Sequence, residues 1–327
     1  MKILISDYPD SMMPEHGLEV ATLKAGLGED VDIEIYPYAD EKRSEFLEKL
    51  GDADALLTAF IPIDSEAMEA APHLKVVSIN ATGYDNVDLG AATAHGIGVC
   101  PVGEYCTWDV SESAIAYMFA LNKHIKFYQE QIDVEHRWDY AAAPQWPRLE
   151  NQTVGIVGFG KIGTCTAKKA KGLVARVIAY DPFVSDEAFE AAGVERVGID
   201  ELLEQADIIV NHMRLTADNR HFFDTEKFAR MCRKPILINL GRGLCVDEEA
   251  LLRALDDGAI RAFGADVLYD ETPDLAHHAL VGRDNVIITP HSAFYSTTSI
   301  EDLMRLSCQN VVYYLRGEKD KVFKLVN

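Results

Sequence analysis

Residues 153 to 181 read TVGIVGFGKIGTCTAKKAKGLVARVIAYD: an apolar run, Gly158-x-Gly160-x-x-Gly163, a helix-like segment, a second apolar run, and Asp181 at its end. A dinucleotide site needs this order. The first glycine lets a strand turn sharply, the second lets a pyrophosphate approach the backbone, and the third lets the new helix pack closely on its strand. Free N–H groups at the helix start then face the phosphates. An ordinary glycine-rich strand-to-helix turn shares the glycines but not the flanking strand, helix and terminal acid, so the segment predicts a Rossmann fingerprint.

Asp181 lies 18 residues beyond Gly163, where a carboxylate accepts both ribose hydroxyls of an adenosine and meets a 2'-phosphate with like charge. Pro182-Phe183-Val184-Ser185-Asp186 supplies no arginine or lysine to neutralise that phosphate, so NAD is expected over NADP. Without the glycines, Asp181 would read as a strand-end residue capping the next turn.

At 327 residues the chain exceeds the usual size of one core, and two domains are expected. Thirty-one basic against fifty-three acidic side chains leave a formal charge of -22, which repels nucleic acid and anionic membranes. An anionic ligand must therefore find its own arginine inside the site. No apolar stretch is long enough to span a bilayer, and Met1-Lys2-Ile3-Leu4-Ile5-Ser6-Asp7 opens as a strand and not as a signal peptide, so a cytoplasmic location is expected. The six cysteines are scattered with no C-x-x-C pair, which predicts buried free thiols, no disulfide framework and no metal site.

The first hundred residues alternate β-rich runs (Ile3 to Ser6, Val31 to Tyr36, Ala55 to Thr58, Lys75 to Ile79, Ile97 to Cys100) with helical stretches, the mark of a parallel sheet. From Thr153 a second series follows through Ala175 to Tyr180, Asp207 to Asn211, Ile236 to Leu240, Arg261 to Asp266 and Val286 to Thr289. Near-continuous apolar strands predict a sheet covered on both faces. Trp108 to Gln131 reads as one connecting helix and Thr297 to Leu315 as a closing amphipathic one. Between them, Asp139 to Pro147 carries two prolines and exposed-looking aromatics, the composition of an extended arm on one subunit or between two.

Ligands of open α/β sheets bind beyond the carboxyl ends of the strands, and three chemically able side chains stand there: Arg242, Glu271 and His291, separated by 29 and 20 residues. Hydride exchange at C2 of a 2-hydroxy acid needs an acid or base on the oxygen and a cation for the carboxylate. A protonated His291 gives its proton to a keto oxygen, Glu271 stabilises the imidazolium, and Arg242 grips the carboxylate. Duller roles stay open for each: a structural histidine, a solvated glutamate, an arginine paired with a surface acid.

Asn239-Leu240-Gly241-Arg242-Gly243 with Val246-Asp247-Glu248, Gly264-Ala265-Asp266-Val267, and Thr289-Pro290-His291-Ser292-Ala293-Phe294 resemble the D-isomer-specific 2-hydroxyacid dehydrogenase family. Thr82 to Asp88 and Tyr105 to Glu112 extend the likeness over nearly the whole chain, and the spacing most resembles the branch containing the C-terminal-binding proteins. The resemblance implies two Rossmann-like parallel-sheet α/β domains: a discontinuous substrate domain of residues 1–99 and 295–327, and a dinucleotide domain of 100–294 with a dimerisation arm. It implies an NAD-dependent homodimeric oxidoreductase acting on a small 2-keto or 2-hydroxy acid, or an NADH-responsive protein-binding scaffold. Arg242, Glu271 and His291 take the catalytic roles. Gly158, Gly160, Lys161, Ile162, Gly163, Asp181, His212, Leu240, Gly241, Arg242, Asp266 and His291 line the cofactor, with Asp266 near the carboxamide. Thr82, Gly83, Arg242 and Phe294 touch the substrate. Two departures stand out: Ile79-Asn80-Ala81 lacks the arginine many members carry, and Arg214, which is expected to face solvent, replaces a common proline.

Overall fold

The computed structural model describes residues 1–13, 15–270 and 273–327. They form two compact units, Met1–Tyr105 with Ser296–Asn327, and Cys106–Tyr295.

The first unit holds β1 (Lys2–Asp7), β2 (Asp32–Pro37), β3 (Ala55–Thr58), β4 (Val76–Ile79) and β5 (Gly98–Pro101) in the order β2-β1-β3-β4-β5, every pairing parallel. Alternate residues of each strand serve opposite faces: Leu4 and Val77 join Phe46 and Leu50, whereas Ile3, Ile5 and Val76 join Cys308, Val311 and Val312. The last three belong to the closing helix Thr297–Leu315, which starts where expected and carries a capping box between Ser296 and Ser299. That helix completes the core of the N-terminal sheet, so the unit is discontinuous in sequence. Asn327 then ties the chain end to β5, accepting from the Val99 N–H at 2.8 Å and donating to the Ile97 carbonyl at 2.8 Å. Because β5 belongs whole to this sheet, the division lies after Tyr105 and before Ser296; a boundary at 99/100 would cut the strand.

The second unit holds β6 (Thr153–Val157), β7 (Arg176–Tyr180), β8 (Glu195–Arg196), β9 (Ile208–Asn211), β10 (Ile236–Asn239), β11 (Ala262–Ala265) and β12 (Val286–Ile288) in the order β12-β11-β10-β9-β6-β7-β8. All pairings are parallel. The chain winds outward through β7 and β8, returns past β6, and winds the other way from β9. The order reverses between β6 and β9, the point at which open α/β sheets form a crevice beyond their carboxyl ends. The fold class matches the expectation of two parallel-sheet α/β domains.

Two local expectations need correction, and one strand lies outside the expected runs. The segment 108–131 is two helices, Thr107–Asn122 and Ile125–Asp133, broken at His124, whose φ of 54° ends any helical run. Strand β8 has two exposed charged residues and no apolar signature. Cys100, Cys106, Cys245 and Cys308 are buried free thiols as expected, but Cys232 is exposed and Cys165 half-buried.

Candidate active site

The turn after β6 is built by exclusion of side chains. Gly158 has φ of 91°, and a Cβ on it would fall 2.7 Å from the Met213 nitrogen. On Gly163 a Cβ would lie 2.1 Å from the Gly158 carbonyl oxygen, so only glycine lets the helix Lys161–Ala170 start so close to its strand. Gly160 is the opposite case. A Cβ there meets nothing within 4 Å, and no side chain caps the helix start. Open space in front of a helix N-terminus is what a pyrophosphate needs.

Asp181, at the end of β7, is tied into the same turn. One carboxylate oxygen accepts the Phe159 N–H at 2.8 Å and the other accepts the Phe183 N–H at 2.9 Å, which leaves acceptor capacity on each. The arrangement fits a dinucleotide: the glycines leave room for phosphates, and a carboxylate fixed to the same turn is available to ribose hydroxyls. Beside the turn, Lys161, Lys168 and Lys169 line a cleft of about 640 Å³ with Trp108 and Phe159. In so acidic a chain, this is a local reserve of positive charge. A further cation arrives from a place the sequence order hides: Arg196 of β8 donates to the Asp181 carbonyl at 3.1 Å while pairing with Asp186 at 2.5 Å.

On the other side of the crevice, the loop after β9 is locked to its neighbours. His212 contacts the Thr166 hydroxyl at 2.9 Å, and burial pushes its imidazole down to about 3, so it is neutral throughout the working range. Two buried asparagines then carry the loop after β10. Asn211 donates to the Asn239 side-chain oxygen at 2.8 Å, that oxygen accepts the Gly241 N–H at 3.2 Å, and Asn239 donates to the Arg242 carbonyl at 3.0 Å. Leu240 and Gly241 are buried at this junction, where a Cβ on Gly241 would lie 2.5 Å from the Met213 oxygen. Arg242 is half-buried; among the described residues its guanidinium donates to the Gly241 carbonyl at 2.9 Å and has no carboxylate partner. Among the described residues no surface acid holds it.

β10, β11 and β12 are adjacent, with Asn239 beside Ala265 and Ala265 beside Ile288. Their carboxyl ends therefore present Arg242, Asp266 and His291 side by side. The Arg242 loop presses on the end of β11, where a Cβ on Gly243 would fall 1.6 Å from the Leu268 oxygen. Glu271, three residues later, lies outside the described residues. His291 adopts φ of 50° and its N–H donates to the Asp266 carbonyl at 2.8 Å. Phe294 packs edge-on to it, ring centroids 6.4 Å apart. The Asp266 carboxylate, 3% exposed, is engaged by the N–H groups of Ser292 and Ala293, each at 2.8 Å, and by the Thr289 hydroxyl. Thr82 and Gly83 follow β4 in the first unit, with Thr82 exposed. Arg214 is exposed, as its solvent-facing reading requires. Asn211, Asn239 and Thr289 are site-supporting residues that the motifs do not single out; their signal in the sequence is a polar residue closing each apolar strand.

Residues 115–293 match the family model described as "D-isomer specific 2-hydroxyacid dehydrogenase, NAD binding domain". The chain belongs to this family. As a D-2-hydroxyacid dehydrogenase it is an NAD-dependent oxidoreductase, and its second unit carries the nucleotide domain. Among its relatives, the glyoxylate reductase of Korarchaeum cryptofilum (strain OPF8) is 32% identical over 311 residues, 94% of this chain and 91% of that one. The hydroxypyruvate reductase of Blautia hydrogenotrophica is 33% identical over 280 residues, 84% and 85% of the two chains. The D-lactate dehydrogenase of Aquifex aeolicus, solved with NAD and lactic acid, superposes with a TM-score of 0.84 at 26% identity, covering 99% of this chain and 98% of that one.

Proposed function

We propose that this dehydrogenase reduces a small 2-keto acid to the D-2-hydroxy acid, with His291 as the acid/base, Glu271 supporting its imidazolium, and Arg242 orienting the substrate carboxylate. The observation that carries the reading is the adjacency of β10, β11 and β12, at whose carboxyl ends Arg242 and His291 stand. The bound nicotinamide supplies the hydride. His291 delivers a proton to the keto oxygen as C2 becomes tetrahedral, and in oxidation it removes that proton. The Arg242 guanidinium, with no carboxylate partner among the described residues, keeps its fork of donors for the substrate carboxylate and polarises the neighbouring carbonyl. Phe294 forms an apolar wall beside the imidazole, and Thr82 and Gly83 offer backbone donors. Asp181 sets the preference for NADH over NADPH through the acceptor capacity left on its carboxylate.

A small monoanionic substrate fits best. Ile79-Asn80-Ala81 supplies no second cation for a dianion, and the relatives named above are reductases of glyoxylate and hydroxypyruvate. We also propose a cytoplasmic homodimer: Trp138 and Tyr140 on the arm are 93% and 91% exposed, while Trp146 anchors the arm over Arg261 with its ring 5.1 Å from the guanidinium carbon. NADH oxidation against glyoxylate, hydroxypyruvate, pyruvate, 2-ketoisocaproate, phenylpyruvate and oxaloacetate tests the enzymatic reading. Glyoxylate or hydroxypyruvate should rank first and oxaloacetate last; no turnover of any of them would overturn it and favour a binding scaffold.

A further inference from the structure

The histidine loop is held by a hydrogen-bond chain that begins on another element. Tyr117, on the helix Thr107–Asn122, is 6% exposed, and its ring lies over Gly264 of β11, where a Cβ would sit 2.6 Å from a ring carbon. Its hydroxyl is 2.8 Å from the Ala265 carbonyl oxygen and 2.6 Å from the Thr289 hydroxyl. Thr289 in turn reaches the Asp266 carboxylate.

Proton counting fixes the direction of this chain. Thr289 donates its single hydroxyl proton to the Asp266 carboxylate, so the proton between the two hydroxyls comes from Tyr117. The Ala265 carbonyl, which accepts the Thr289 N–H at 2.9 Å on one lone pair, has a second lone pair for the phenol, so the Tyr117 proton is shared between Ala265 and Thr289. Burial pushes the Tyr117 hydroxyl up to about 12, so it stays protonated across the working range. Asp266 also accepts from His291 and the two residues after it: the Ser292 and Ala293 N–H groups on its carboxylate, and the His291 N–H on its carbonyl. Ser113, one turn earlier on the same helix, donates to the Ala293 carbonyl at 3.2 Å. His291 itself is left in a left-handed conformation that a loose loop would not keep.

We propose that Tyr117 is a positioning residue acting through His291: its hydroxyl orients Thr289, and through Thr289 the Asp266 carboxylate that clamps the His291 loop. This rests on the reading of His291 as the acid/base. Tyr117→Phe keeps the ring over Gly264 and deletes one hydrogen bond, so kcat should fall roughly 3- to 10-fold. The Kd for NADH and the KM for the keto acid should stay within about twofold, because the glycine turn and the Asp266, His291 and Arg242 side chains all remain in place. Thr289→Val should resemble Tyr117→Phe, and Thr289→Ser, which keeps the hydroxyl, should lose less. The deciding measurement is Tyr117→Phe in a His291→Ala background, where the substitution should cost nothing further. An equal loss in that background, a parallel loss of NADH affinity, or wild-type kcat in Tyr117→Phe would each overturn the proposal. If His291→Ala alone turned over normally, the acid/base reading would fall and take this proposal with it; a crippled His291→Ala beside a silent Tyr117→Phe would sink only the proposal.

Discussion

Two parts of one sheet edge, the turn after β6 and the ends of β10 to β12, work by opposite means. At the turn, backbone forms the cradle and a Cβ is shut out at Gly158 and Gly163, down to a 2.1 Å gap between a notional Cβ on Gly163 and the Gly158 oxygen, while the Asp181 carboxylate braces the turn from β7. At the other end, side chains are presented and the backbone beneath them is clamped by buried polar groups: Asn211 and Asn239 under Arg242, Asp266 under His291. Binding of a cofactor and chemistry on a substrate should therefore separate by mutation. A substitution that adds atoms at the turn removes binding, and one that deletes atoms at the far edge removes chemistry.

The largest expected effect sharpens this contrast. His291→Ala should lower turnover roughly 10²- to 10⁴-fold, the scale of a lost acid/base group, as steady-state assays with the best keto acid will read. Next, Arg242→Lys should lower kcat/KM roughly 10- to 100-fold, because an ammonium replaces a fork of donors with a point charge; a loss below twofold would return Arg242 to a surface role. Asp181→Ala should weaken NADH about tenfold by removing a charged acceptor and should admit NADPH. Adding Arg196→Ala should then cancel the NADPH gain, since Arg196 is the cation that reaches the Asp181 carbonyl. If NADPH use is indifferent to Arg196, the adenosine end has no latent phosphate partner.

The smallest effect is on stability and is absent at neutral pH. His212 is held neutral when folded, with its pKa near 3 against an ordinary 6.5, so below about pH 6.5 the unfolded chain binds a proton that the folded chain refuses. Stability is lost as pH falls through that window. His212→Gln should flatten the acid limb of unfolding free energy by up to about 1.4 kcal/mol per pH unit, measured by urea unfolding between pH 4 and 7. An unchanged limb would mean the imidazole protonates in the fold.

The same contrast explains what the chain revealed before any coordinates. The turn was legible because its chemistry is local: three glycines, a strand, a helix and Asp181 lie within one short stretch. Buried parallel strands were legible as apolar runs, and the helix Thr297–Leu315 through its apolar stripe and cap. Arg242 and His291 were visible as strand-end residues, but what holds them was not. Tyr117 looks like one more apolar position on an amphipathic helix, and only the packing of that helix against β11 and β12 brings its hydroxyl to Thr289. Arg196 was hidden because β8 is two charged residues long and is made a strand by pairing with β7 alone. The return of the last helix to the first sheet fixed the unit boundary a few residues from the motif-based one.

The account turns on the division between a backbone-built cofactor turn and a side-chain-built reaction edge. Equilibrium titration of NADH into Gly163→Ala and His291→Ala, side by side with the unaltered enzyme, tests it most directly. It predicts that Gly163→Ala loses NADH binding while His291→Ala binds NADH as the unaltered enzyme does. Near-normal NADH binding by Gly163→Ala, or loss of it in His291→Ala, would contradict the division.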